Sequence, residues 1–186
     1  MVKKHPGTKN LLKRKDSVLI LIDIQDKLMP RIPNREKVIE NIVRLLKFSH
    51  IIGLPILLTE QEKLGLTLPE IKKEIPNLQP ITKSAFNCFL CDEFTKRIRQ
   101  IGPKTLILAG VETHICIAQT ALAAIPKFKV QVVSDAVSSR LLDNWAIGIE
   151  RMRQSDVTIT STEMLIFELL GKAGTDEFRA TLKLVK

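Results

Sequence analysis

Between Ser17 and Asp23 the chain carries nothing but Val, Ile and Leu, in the run SVLILIDIQ (17–25). A continuous apolar run of this length reads as a strand covered on both faces. LPILLTE (54–60), KTLILAGV (104–111) and KVQVVSD (129–135) repeat the pattern, and VTIT (157–160) is a shorter version. The first residues of ITKSAF (81–86) make a further short strand. Between these runs the apolar positions change to helical spacing. In NREKVIENIVRLLKFSHIIG (34–53), Val38, Ile42, Leu45 and Leu46 share one face, with Asn34 as a candidate N-cap and Gly53 as a stop. CDEFTKRIRQIG (91–102) reads as a helix ending at Gly102-Pro103, and THICIAQTALAAI (113–125) and LLDNWAIGIERMRQS (141–155) follow as helices. STEMLIFELLG (161–171), with Thr160 and Glu163 as a capping box, and TDEFRATLKLV (175–185) complete the series. The stretch with Pro69, Pro76 and Pro80 reads as a loose connection.

Strands that alternate with helices build a parallel sheet with helices on both faces. No internal repeat, low-complexity segment or linker interrupts the alternation. The expected organisation is one domain, residues 16–186, behind a basic tail, residues 1–15. In such sheets ligands bind outside the carboxyl ends of the strands, where the strand order reverses.

Composition narrows the class. Of the 186 residues 45% are hydrophobic and 26% charged, as in an ordinary globular domain. No apolar run reaches the roughly 18 residues of a membrane span, and the start, MVKKHPGTKNLLKRK, lacks the apolar core and cleavage site of a secretory signal. The expectation is a cytoplasmic protein with no membrane partner. The net charge is +9, yet Lys3, Lys4, Lys9, Lys13, Arg14 and Lys15 carry six of those charges within the tail. With few aromatics and no nucleic-acid motif, the tail reads as a solvated arm, and no specific nucleic-acid partner is expected.

The three cysteines, Cys88, Cys91 and Cys116, form no disulfide framework. Cys88 and Cys91 form a C-x-x-C pair, where packing or capping competes with a redox role. A zinc site there needs two more ligands, and His5, His50 and His114 have no paired spacing. Cys116 is different, because it begins the helix that follows a buried strand. Helix-start N–H groups favour an anion there. Asp23 at the end of the first strand and Lys83 after the third complete a set that supports thiol chemistry. Lys83 would favour the thiolate, and Asp23 would take and return the proton. Each also has an ordinary alternative: a turn aspartate, a surface lysine, a core cysteine. His114 lies two residues from Cys116, so on a helix the two do not face each other. No G-x-G-x-x-G, P-loop or G-x-S-x-G is present, which disfavours dinucleotide, nucleotide triphosphate and serine-hydrolase chemistry.

LILIDIQDKL, ITKSAFNCF and LAGVETHICIAQTALAA, in this order and spacing, resemble the three motifs of the isochorismatase-like cysteine hydrolases. LPILLTEQ, VVSDAVSSR and RMRQSDVTITSTE are most similar to the isochorismatase-domain-containing branch. The resemblance implies a three-layer α/β/α fold with a mainly parallel six-stranded sheet of Rossmann-like topology. It also implies a homo-oligomer, dimer or larger, acting on a small-molecule substrate. Carried onto this chain it makes Asp23 the general base, Lys83 the electrostatic partner and Cys116 the nucleophile of an amide hydrolase working through a thioester. It further implies a cis peptide between Val111 and Glu112, with the Glu112 and Cys116 N–H groups as an oxyanion hole. Gln25, Glu60 and Phe86 are the candidate pocket residues. Nicotinamidases of the family hold a metal through histidines after the second strand. Here LLTEQEKLGLTLPE has none, so no metal and no cofactor is expected. A non-catalytic oligomeric scaffold that keeps the pocket is the competing reading.

Overall fold

The computed structural model of the chain describes residues 11–185. Six strands, β1 (Ser17–Ile22), β2 (Ile56–Gln61), β3 (Ile81–Lys83), β4 (Thr105–Val111), β5 (Lys129–Ser138) and β6 (Thr158–Thr160), form one sheet in the order β3-β2-β1-β4-β5-β6. Every neighbouring pair is parallel. β1 is buried along its whole length, and the two-residue period of a strand sends its side chains alternately into two cores. Leu19 and Leu21 join the core under α1 (Arg35–Ile52), α2 (Pro69–Glu74), α6 (Thr162–Leu170) and α7 (Asp176–Val185). Val18, Ile20 and Ile22 join the core under α3 (Asp92–Ile101), α4 (Ala118–Ala124) and α5 (Leu142–Gln154). The result is the expected three-layer α/β/α fold.

Core burial on both faces explains why Val18–Ile22 of β1 and Leu106–Val111 of β4 carry no polar side chain, the polar Ser17 and Thr105 falling at the strand starts. Each fully buried Leu or Ile contributes roughly 1.5–3 kcal/mol. Gly53 and Gly102 end α1 and α3 in the left-handed conformation, as the helix patterns predict.

Local details depart from the sequence reading. Asn34 precedes α1 in a left-handed conformation and makes no side-chain cap bond, so the αL turn, not a cap, starts the helix. The cap of α6 is Ser161, whose hydroxyl accepts from Met164 N, and not Thr160, which still belongs to β6. Part of the loose connection is helical: α2 begins on Pro69, whose missing N–H costs nothing at a first turn. β5 runs on to Ser138, past a register shift against β4 between Leu108 and Gly110.

The start of the described chain is tied to the last two helices, while Lys13, Arg14 and Lys15 stay exposed. Leu12 N donates to Glu168 Oε1 at 2.7 Å, and Arg14 Nη1 lies 2.7 Å from Glu177 Oε1. The tail reading for Lys3, Lys4 and Lys9 lies outside the described residues. Among the described residues no helix is long and apolar enough to cross a membrane.

From β1 the sheet grows outward through β2 to β3 on one side, and from β4 through β5 to β6 on the other. The order therefore reverses between β1 and β4, which opens a crevice at their carboxyl ends. Gly110 makes that junction tight. Its φ is +130°, and a Cβ there would lie 2.1 Å from the Ile22 carbonyl oxygen. Only glycine lets the end of β4 close on the end of β1 in this way.

Candidate active site

Asp23 follows β1 directly, in a left-handed conformation (φ 57°) that Asp tolerates better than most residues. Its backbone N donates to Thr59 O at 3.2 Å, and the Thr59 hydroxyl donates to its Oδ1 at 2.8 Å. Lys83 closes β3, two strands away, and its side chain crosses the end of β2 to reach the crevice. Its Nζ donates to Asp23 Oδ2 at 2.7 Å and to Gln61 Oε1 at 2.7 Å, and lies 3.7 Å from Cys116 Sγ. Asp23, Lys83 and Cys116 are 1%, 2% and 5% exposed. The strand ends thus bring these three residues into one buried group.

Cys116 reaches this point through a special turn. Glu112, the residue after β4, takes a left-handed conformation (φ 60°, ψ 60°), and Thr113–Ile117 form a π-helical turn before α4. The Glu112 carbonyl accepts from Ile115 N at 2.9 Å and Ile117 N at 3.5 Å. Such turns recur at functional sites because they re-aim a side chain within a helix. The Val111–Glu112 peptide is trans, which corrects the expected cis bond.

The charges are arranged differently from the sequence expectation of a partly ionised thiol. Burial pushes the Cys116 thiol up, the neighbouring Asp23 carboxylate pushes it further, and Lys83 opposes both without prevailing. For Lys83 burial works against the ammonium, but Asp23 and Cys116 outweigh it and raise its pKa. The group therefore rests as an Asp23–Lys83 ion pair beside a neutral thiol. Removing one partner of such a buried pair costs about 3–5 kcal/mol.

The three candidate pocket residues fall into different surroundings. Gln25 is fully buried, donating to Gln61 O and Gly65 O and accepting from Gln61 N, so it braces the loop after β2. Glu60 Oε1 accepts from Thr67 N and the Thr67 hydroxyl, at 2.8 and 2.6 Å. Phe86 is exposed. His114 turns to Ser139 Oγ, 3.0 Å from its Nδ1. Cys88 is packed in the core with its thiol pushed up to about 11, chiefly by burial, while Cys91 precedes α3 without capping it. Both thiols are unbridged. Among the described residues, no three His, Cys, Asp or Glu side chains group as metal ligands do.

Sequence reasoning missed Thr59 and Gln61, the partners of Asp23 and Lys83. The signal was available, since both sit at the carboxyl end of the strand beside β1. It also missed the ion pair between Glu112 Oε1 and Arg140 Nε (2.9 Å), which no local spacing announces. A cleft of about 350 Å³ lies between the starts of α1 and α5, with Asn34, Ser138, Leu142 and Trp145 in its walls.

A buried Asp–Lys–Cys group at the switch point of a doubly wound sheet defines a thiol-centred α/β site. The chain belongs to the isochorismatase domain family, whose model matches residues 17–164. Isochorismatase domain-containing protein 2 of Danio rerio is 36% identical over 94% of this chain and 89% of its own. Three solved structures share the fold at a TM-score of 0.88. One is described as the MAR1 ribonuclease of Caenorhabditis elegans, 27% identical over 94% of this chain and 92% of that one. Another is the Escherichia coli YcaC product, an octameric hydrolase of unknown specificity, 27% identical over 94% and 89%. The third is YcaC of Pseudomonas aeruginosa with hexane-2,5-diol and covalent acrylamide, 25% identical over 95% and 92%.

Proposed function

We propose that this protein is a cysteine hydrolase that cleaves a small amide through a thioester on Cys116. One observation carries the reading: a single ammonium, Lys83 Nζ, faces both the Asp23 carboxylate and the Cys116 sulfur inside a buried site. A neutral thiol needs a base at the moment of attack, and Asp23 is the anion beside it. The Cys116 sulfur bonds to the amide carbonyl carbon while its proton passes to Asp23. The Glu112 and Cys116 N–H groups donate to the developing oxyanion. The C–N bond then breaks, and the amine leaves with the proton from Asp23. Water, deprotonated by Asp23, attacks the thioester and releases the acid and the Cys116 thiol. Lys83 offsets the negative charge throughout.

The family supports hydrolysis, and the covalent acrylamide in the Pseudomonas structure's description supports the use of a nucleophile in a relative of the same fold. The test is a panel of small amides and esters offered to wild type and to Cys116→Ala, with mass spectrometry for an acyl adduct. RNA serves as a control, given the ribonuclease among the structural neighbours. Turnover that vanishes with the adduct in Cys116→Ala is expected. Turnover that survives in Cys116→Ala would overturn the thioester, and a folded wild type with an inert Cys116 and no turnover would replace this reading with the scaffold.

We also propose a homo-oligomer. The octameric Escherichia coli relative supports it, as do Leu141, Leu142, Ile147 and Met164, which this chain exposes. Light scattering that shows only monomer at micromolar concentration would overturn it.

A further inference from the structure

Glu112 is 4% exposed, yet its Oε2 makes no hydrogen bond. That oxygen lies 3.6 Å from His114 Nδ1, a nitrogen already 3.0 Å from Ser139 Oγ. Its partner Oε1 accepts from Arg140 Nε at 2.9 Å and Arg140 N at 3.4 Å. This buried carboxylate touches neither Asp23 nor Lys83, but it fixes the near end of the Arg140 guanidinium. Arg140 has no further partner among the described residues, so its two terminal nitrogens stay open on a side chain 46% exposed.

The strand register puts this guanidinium at the nucleophile's end of the sheet. Gly110 pairs with Val137 and Val111 with Ser138, so the chain leaving β5 through Ser139 and Arg140 runs beside Glu112 and the Cys116 turn. Neighbouring strands lie about 4.8 Å apart, less than the length of an extended arginine side chain. The 350 Å³ cleft walled by Ser138, Leu142 and Trp145 is lined by neither Arg140 nor Cys116. A guanidinium held at Nε keeps its paired terminal nitrogens for a planar bidentate acceptor, and a carboxylate is the matching group.

We infer that Arg140 is a specificity residue whose terminal nitrogens clamp a carboxylate, so that the substrate is a small amide bearing a carboxylate group. The inference rests on Cys116 as the proposed nucleophile. Two reagents that differ only in charge test it without a known substrate. Iodoacetate and iodoacetamide both alkylate Cys116 by forming an S–C bond and releasing iodide, and only the first carries a carboxylate.

The readout is the iodoacetate-to-iodoacetamide rate ratio at Cys116, divided by the same ratio for N-acetylcysteine at equal pH. In wild type this quotient should exceed one. In Arg140→Met it should fall about tenfold, the equivalent of about 1.4 kcal/mol, with Arg140→Lys between the two. A second measurement needs only wild type: glutarate should slow iodoacetamide labelling of Cys116, and the neutral 1,5-pentanediol should not. Equal quotients in wild type and Arg140→Met, or no protection by glutarate should the variant fail to fold, would overturn the clamp. If Cys116 takes neither reagent while N-acetylcysteine takes both, the nucleophile reading fails and the clamp falls with it.

Discussion

Lys83 Nζ lies 3.7 Å from Cys116 Sγ, yet the thiol beside it is pushed up rather than down. Burial and the Asp23 carboxylate outweigh the ammonium, so a cation at contact distance does not suffice to make a thiolate. Alkylation of Cys116 by iodoacetamide should therefore rise with pH on an apparent pKa above the free-thiol value of about 8.5. Asp23→Asn removes the opposing anion and should lower that apparent pKa. Lys83→Met removes the cation in contact and should raise it, in protein shown by circular dichroism to be folded. A labelling profile in wild type centred below the free-thiol value would contradict this account of the site.

Asp23 and Cys116 act in one step of the proposed mechanism, so their losses should not add. Cys116→Ala and Asp23→Asn should each remove nearly all amide turnover, and the double variant should be little worse than either single. Rate constants that fall multiplicatively in the double variant would place Asp23 in a separate step.

The position of the site was legible because it follows from topology. A strand run ending in Asp23, another ending before Cys116 and a third ending at Lys83 meet wherever a doubly wound sheet reverses its order. What could not be read was how the ends are fastened. Thr59 and Gln61 make their bonds across strands, to residues 36 and 22 positions away. The left-handed Glu112 turn is a backbone conformation that the residue types around it do not announce. The thiol's charge state failed as a prediction for a third reason. Helix-start and lysine effects are visible in sequence, whereas the depth of burial that overrides them appears only in three dimensions.

Gly110 and Gly171 both have positive φ, but they differ in what surrounds them. A Cβ at Gly110 would meet the Ile22 carbonyl oxygen at 2.1 Å, while at Gly171 nothing lies within 4 Å. Gly171→Ala should cost only the left-handed penalty of about 1–2 kcal/mol. Gly110→Ala must also push β1 and β4 apart at the site, so it should cost several-fold more in a denaturant titration, or give no folded protein. Equal losses at the two positions would mean that the β1–β4 junction is not tightly packed.

Cys88 gives the fold an alkaline limit. Its thiol is raised from 9.0 to about 11, with burial the largest cause. A group raised in the folded state stabilises fully below its unfolded pKa, and that contribution is lost as pH climbs through the folded value. Here the window runs from about pH 9 to pH 11. Cys116 and Lys83 are also raised and act in the same direction. Each pKa unit is worth about 1.4 kcal/mol, so Cys88 alone accounts for roughly 2–3 kcal/mol across the window. The chain has no tyrosine, which leaves thiols and lysines to set this limb. Urea titrations at pH 8, 9, 10 and 11 should show stability falling steadily in wild type. Cys88→Ala should start lower because of its small cavity, but lose roughly 2–3 kcal/mol less over the same range. Parallel declines in the two proteins would show that the buried thiol is not what titrates.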